Sequence, residues 1–129
     1  MSKRPDLAIL DLVGVSEGQS FADAIEASMR AVELADEQGY KRYWFAEHHN
    51  TLNLASNATS LLIDRAASRT SRIRVGSGGI MLPNHAPLQV IEQFGTLTQF
   101  HGPRIDLGLG RAPGTVSYTH LTLPTKRIV

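Results

Sequence analysis

Aliphatic, strand-like runs alternate with amphipathic, helix-like stretches along this chain. The interval is roughly 31–36 residues, the length of one βα unit. That alternation excludes all-helical and all-strand designs and calls for a parallel sheet with right-handed crossovers. Residues 6–13 (DLAILDLV) read as a first strand, residues 43–47 (YWFAE) as a second, residues 73–80 (IRVGSGGI) as a third and residues 104–110 (RIDLGLG) as a fourth. Ser20 is placed to cap the first helix, with Asp23 three residues on. Phe21, Ile25, Met29 and Val32 follow at helical spacing, and Gly39 suits a left-handed stop. Ser56 or Asn57 would cap a second helix that buries Leu61, Leu62, Ala66 and Ala67. Pro87 fits the first turn of a third, with Ile91, Phe94 and Leu97 on its apolar face.

Two architectures satisfy this pattern, an open doubly wound sheet and a (β/α)8 barrel. Periodicity alone does not separate them. Both gather ligands at the carboxyl ends of the strands. The residues with chemical character stand at those ends: His48, His49 and Asn50 after the second strand, Gly78 and Gly79 at the end of the third, Gly110 and Arg111 at the end of the fourth.

With 129 residues, 42% of them hydrophobic and 19% charged, the chain has the composition of one globular domain with a modest core. Its apolar runs are too short to span a bilayer, so no membrane role is expected. The start leads into no signal-type apolar region, and there are no cysteines for disulfides or thiolate metal sites. A cytoplasmic location is expected. The net charge of +1 and the lack of a dense Lys/Arg cluster argue against a nucleic-acid partner.

Three motifs carry possible chemistry. Histidine moves protons near neutral pH, which makes Glu47-His48-His49 a candidate acid–base site. In an extended segment only one of the two histidines faces a ligand, and both could be loop residues open to water. No standard zinc spacing is present, so no metal is expected. Gly76-Ser77-Gly78-Gly79 weakens its strand, which suits either a flat ligand lying on bare backbone or a bulge. In the segment from Gly108 to Gly114 the third glycine comes one residue late for a dinucleotide fingerprint. Arg111 there suits a phosphate, or is a surface arginine on a turn. Asp11 and Asp106 interrupt apolar strands, either as an inward polar layer or as partners of Arg74 or Arg104.

Taken in order, YWFAEHHN, RVGSGGIMLPNHAPLQVIEQFGTL and GPRIDLGLGRAPG resemble the bacterial luciferase-like monooxygenase family over most of residues 5–115. The resemblance implies an α/β fold, the N-terminal half (about four βα units) of a (β/α)8 TIM barrel. It implies reduced FMN supplied by a separate flavin reductase, O2 as oxidant and a small organic molecule as substrate. The family's catalytic histidine falls on His48. Its non-proline cis peptide beneath the flavin ring falls on Gly78-Gly79, and its phosphate-contacting arginine on Arg111. Gly110 stands where luciferase itself has a reactive cysteine, which argues against copying its substrate or light emission. A relative transferring hydride with a deazaflavin, or a non-enzymatic flavin-binding fragment, are the alternatives. A parent enzyme that forms homo-oligomers is expected, as is an inactive, aggregation-prone chain if only four units are present.

Residues 116–129 (VSYTHLTLPTKRIV) break the pattern. They show no helical face where a helix is due, and without Lys126 and Arg127 the acids outnumber the bases. The string resembles the translation of a sequencing adapter. The expected division is therefore a partial barrel domain over 1–115 and a non-native tail over 116–129.

Overall fold

The structure, a computed structural model, describes residues 3–111. The segment over 116–129 lies outside the described residues. Four strands alternate with three helices: β1 (Ala8–Asp11), α1 (Phe21–Glu37), β2 (Arg42–Phe45), α2 (Thr59–Ser68), β3 (Arg74–Met81), a 3-10 turn at Leu82–Asn84, α3 (Pro87–His101) and β4 (Ile105–Gly110). The strands pair in sequence order, β1-β2-β3-β4, and every pair is parallel. Each connection is thus a crossover through a helix.

The helices begin and end mostly where local chemistry directs. Ser20 accepts the Asp23 N–H at 3.0 Å and caps α1. Gly39, at φ 79°, takes the left-handed conformation just past its end. Pro87 opens α3.

The cap of α2 differs from expectation. Ala58 holds the N-cap position, with no side-chain bond. Ser56 is fully buried, and its hydroxyl donates to the Ala46 carbonyl. A buried carbonyl at the end of β2 takes the donor that the helix end was expected to use. The buried faces also shift. Ile63 and Val90 are inside, whereas Leu61 is 70% exposed, Ile91 64% and Phe21 41%. On α2 the expected Leu62, Ala66 and Ala67 are inward, and Ile63 takes the place expected for Leu61.

The core lies between the helices and one face of the sheet. Tyr43, Phe45 and Val75 pack there against Met29, Val32, Ile63, Ala66 and Phe94. Alternation along β2 therefore turns Arg42 and Trp44 to the opposite face. There Arg42 and Arg74 both bond Asp106, at 3.2 and 2.8 Å. This decides between the partners considered for Asp106: Arg74 is one, Arg42 the other. Arg104 instead donates to the carbonyls of Ala67, Thr70 and Ile73 and to the Thr70 hydroxyl. Asp11 accepts from the Tyr43 hydroxyl and, at 2.7 Å, from the Val13 N–H.

Candidate functional site

The carboxyl ends of the strands are tied together by side chains. After β1 the chain turns through Val13, whose φ of 51° is rare for a β-branched residue. The Asp11 carboxylate and a bond from the Ala55 N–H to the Val13 carbonyl, 2.8 Å, hold it there. Gly14 then bridges to Leu54, joining the loop after β1 to the loop after β2.

Glu47 is the hub of the loop after β2. It is 2% exposed. Its carboxylate accepts from the Met81 N–H at 2.9 Å, from His85 Nε2 at 2.9 and 3.0 Å, from His49 Nε2 and, at 3.4 Å, from Asn84 Nδ2. Burial pushes its pKa up. Its donors, His49, Met81, His85 and Asn84, outweigh that and hold it below the usual glutamate range. The loop after β2 is thereby pinned to the segment that follows β3.

His48 lies half-buried beside this hub and does not join it. Its backbone N–H donates to the Ser56 carbonyl at 2.8 Å, and its Nδ1 sits 2.8 Å from the Glu47 carbonyl. Nε2 has no partner among the described residues. Of the two adjacent histidines, then, His49 is committed to Glu47 while His48 keeps one nitrogen available.

The Gly78–Gly79 peptide is cis, where the resemblance puts such a bond. The two glycines line a depression of about 330 Å³ with Leu10, Trp44, Ser77, Gly108 and Leu109. That volume is near the lower end of the range for small-molecule sites. A Cβ on Gly78 would come within 3.0 Å of Trp44 Cβ and 3.2 Å of Leu10 Cδ1. The space for a flat ligand is space a side chain would fill. His48 and Arg111 stand at the same edge of the sheet, but neither lines this depression. Arg111 is exposed directly after β4. Among the described residues, no group of three or more His, Cys, Asp or Glu is placed to hold a metal ion, and no helix is long and apolar enough to cross a membrane.

Two features of the site are additional to those expected from the sequence. The Glu47 carboxylate with His85 had a signal there: Tyr43, Phe45 and Glu47 recur at alternate positions, so a strand burying the aromatics also buries the acid, which then needs donors. Trp44 carried a weaker signal, a large ring on the strand next to a run of glycines.

A parallel sheet in the sequential order β1-β2-β3-β4, with its helices packed on one face, has the layout of consecutive α/β-barrel units rather than of a doubly wound sheet, whose strand order reverses. Comparison with known proteins narrows the class. The family model described as luciferase-like monooxygenase matches residues 7–127. A luciferase-like monooxygenase of Escherichia coli K12 is 51% identical over 116 residues, which cover 90% of this chain and 35% of that protein. The crystal structure of apo-MsnO8 superposes with a TM-score of 0.81 at 45% identity, covering 83% of this chain and 32% of that one. The FMN complex of the oxygenating constituent of 3,6-diketocamphane monooxygenase from Pseudomonas putida gives a TM-score of 0.79 at 23% identity, covering 89% and 32%. This chain belongs to the luciferase-like monooxygenase family, and its strands and helices are successive units of a TIM barrel. It spans about a third of the length of the curated relatives it matches.

Proposed function

We propose that the chain is the N-terminal part, about four βα units, of an FMN-dependent monooxygenase, which takes reduced FMN from a separate reductase and uses O2 to oxygenate a small organic substrate in the cytoplasm. The depression at Gly78 and Gly79 carries this reading. It offers bare backbone between Leu10, Trp44 and Leu109, with no charged side chain in its lining, and so fits the flat face of a flavin ring. Bound reduced flavin supplies the electrons that activate oxygen. The protein's part is to bind, orient and exclude water. His48 holds or passes a proton at Nε2, because Nδ1 is occupied by the Glu47 carbonyl. Arg111 pairs with the FMN phosphate. The exposed Leu61 and Ile91, on α2 and α3, serve as a contact between copies in a homo-oligomer. Four units alone leave the oxygenation site incomplete, so the chain by itself is inactive.

The test uses the full-length enzyme that carries this segment. Reduced FMN and substrate should give oxygen uptake, and His48→Ala should lower it by about 10²-fold or more, the usual contribution of a positioned acid–base group. Unchanged turnover refutes the role of His48. Reduction of a deazaflavin without oxygen uptake moves the protein to the hydride-transfer branch.

A further inference from the structure

Trp44 lies on the sheet face that carries the depression, between Leu10 of β1 and Gly76 of β3, its partners in register. Its six-membered ring reaches across the bare backbone of two strands. Atom Cζ3 is 3.0 Å from where a Cβ on Gly76 would sit and 3.7 Å from one on Gly108. The indole thus occupies volume that side chains at 76 and 108 would otherwise fill. Two residues toward the amino ends of β2 and β3, on the same face, stand Arg42 and Arg74, and they hold the carboxylate of Asp106, whose backbone is level with Gly76 and Trp44. The layers therefore run from a charged cluster, through the indole over Gly76 and Gly108, to the apolar depression at Gly78 and Gly79.

From this layering we infer that Trp44 is the floor of the ring site: its indole touches the bound flavin and separates it from the charged cluster beneath. The inference rests on the flavin reading above. An indole fits this place on two grounds. Its face and edge pack against another aromatic ring in offset or edge-on fashion. Its bulk covers the bare backbone of Gly76 and Gly108 on the side of the depression toward Arg42 and Arg74, whose charges would draw water toward the ring. The indole N–H has no partner among the described residues and remains available to a ligand acceptor.

Contact has a spectroscopic signature that a purely structural role does not share. An indole touching an excited flavin passes it an electron, which then returns, and the flavin emission is lost. Phenylalanine and leucine do not do this, whereas tyrosine does. The experiment compares the wild-type full-length enzyme with Trp44→Phe, Trp44→Leu and Trp44→Tyr, each loaded with oxidised FMN. Uptake is read from flavin anisotropy and contact from the lifetime of flavin emission. The expected result is a severalfold longer lifetime in the Phe and Leu variants, with the Tyr variant staying quenched. Equal lifetimes in all four proteins, with flavin bound, overturn the place of Trp44 and leave the flavin reading standing. No uptake of FMN by the wild type, in either the oxidised or the reduced form, overturns the flavin reading itself.

Discussion

His85 Nε2 lies 2.9 Å from Glu47 Oε1, joining the end of β2 to the segment after β3 across 38 residues of sequence. The same carboxylate takes the Met81 N–H and His49. Glu47→Ala therefore deprives four donors of this acceptor, Asn84 being the fourth, and leaves a buried hole. Loss of one partner from a buried, charge-assisted network costs about 3 kcal/mol. A loss of that size in the unfolding free energy from urea titration is expected, and a smaller one for Glu47→Gln, which keeps an acceptor oxygen. The pH dependence has a defined sign. The folded pKa lies below the ordinary 4.5, so the contribution is complete above about pH 4.5 and disappears as pH falls through the folded value. Acid titration of stability in wild type and Glu47→Gln should converge at low pH.

The three histidines near the hub should adopt two different tautomers. A carboxylate only accepts, so neutral His49 and His85 must carry their hydrogen on Nε2. His48 faces a backbone carbonyl through Nδ1, which likewise only accepts, so its hydrogen belongs on Nδ1 and its Nε2 is bare. Long-range proton–nitrogen NMR correlations at alkaline pH distinguish the two forms. Finding Nε2–H on His48 would remove the proposed proton acceptor from the site.

Asp36 makes a separate clamp at the other end of the sheet. Its carboxylate accepts the backbone N–H groups of Ser71, Arg72 and Ile73 at 3.1, 3.0 and 2.8 Å, fixing the turn that leads into β3. Partial burial pushes its pKa up, but those three N–H groups and the Arg72 charge hold it below the ordinary 3.8. Asp36→Ala should destabilise by about 1–2 kcal/mol, because the Ser71 and Arg72 N–H groups can turn to water and only the Ile73 one is sheltered. The stabilisation is present above about pH 3.8 and lost as pH falls through the folded pKa. Amide exchange at Ile73 offers a local check, since it should accelerate in the variant and in acid.

Much of this arrangement is legible in the sequence, for physical reasons that differ by element. Ser20 and Gly39 signal helix ends through short-range geometry, so α1 can be placed almost to the residue. The faces of α2 and α3 are less legible. Leu61 and Ile91 match a helical period as well as Ile63 and Val90 do, and only the position of neighbouring elements decides which pair is buried. Ser56 is a case of competition: two buried roles call for one hydroxyl, and the carbonyl of Ala46 prevails over the helix cap. At the candidate site, His48, Gly78, Gly79 and Arg111 follow from motif order. Alternation signals that Glu47 is buried and needs donors, but that His85 is one of them, and that the Trp44 ring crosses two strands, depends on how separate elements are brought together.

Glycine positions give the most direct test of that register. A Cβ on Gly108 would lie 2.2 Å from the Ser77 carbonyl oxygen, a backbone atom that cannot move without breaking the β3–β4 ladder. Ser77 is itself fully buried, and its hydroxyl both donates to the Gly108 carbonyl and accepts the Gly108 N–H. Gly108→Ala should therefore cost about 3 kcal/mol or more, the upper range for overpacking. Gly95 is the control. It lies exposed within α3, and an alanine methyl there would meet nothing within 4 Å, so Gly95→Ala should stabilise by about 0.5–1 kcal/mol through helix propensity. Thermal melts of the two variants should move in opposite directions. Tolerance of alanine at position 108 would mean that β3 and β4 pair in a different register, and with that the Trp44 floor and the depression above it would have to be redrawn.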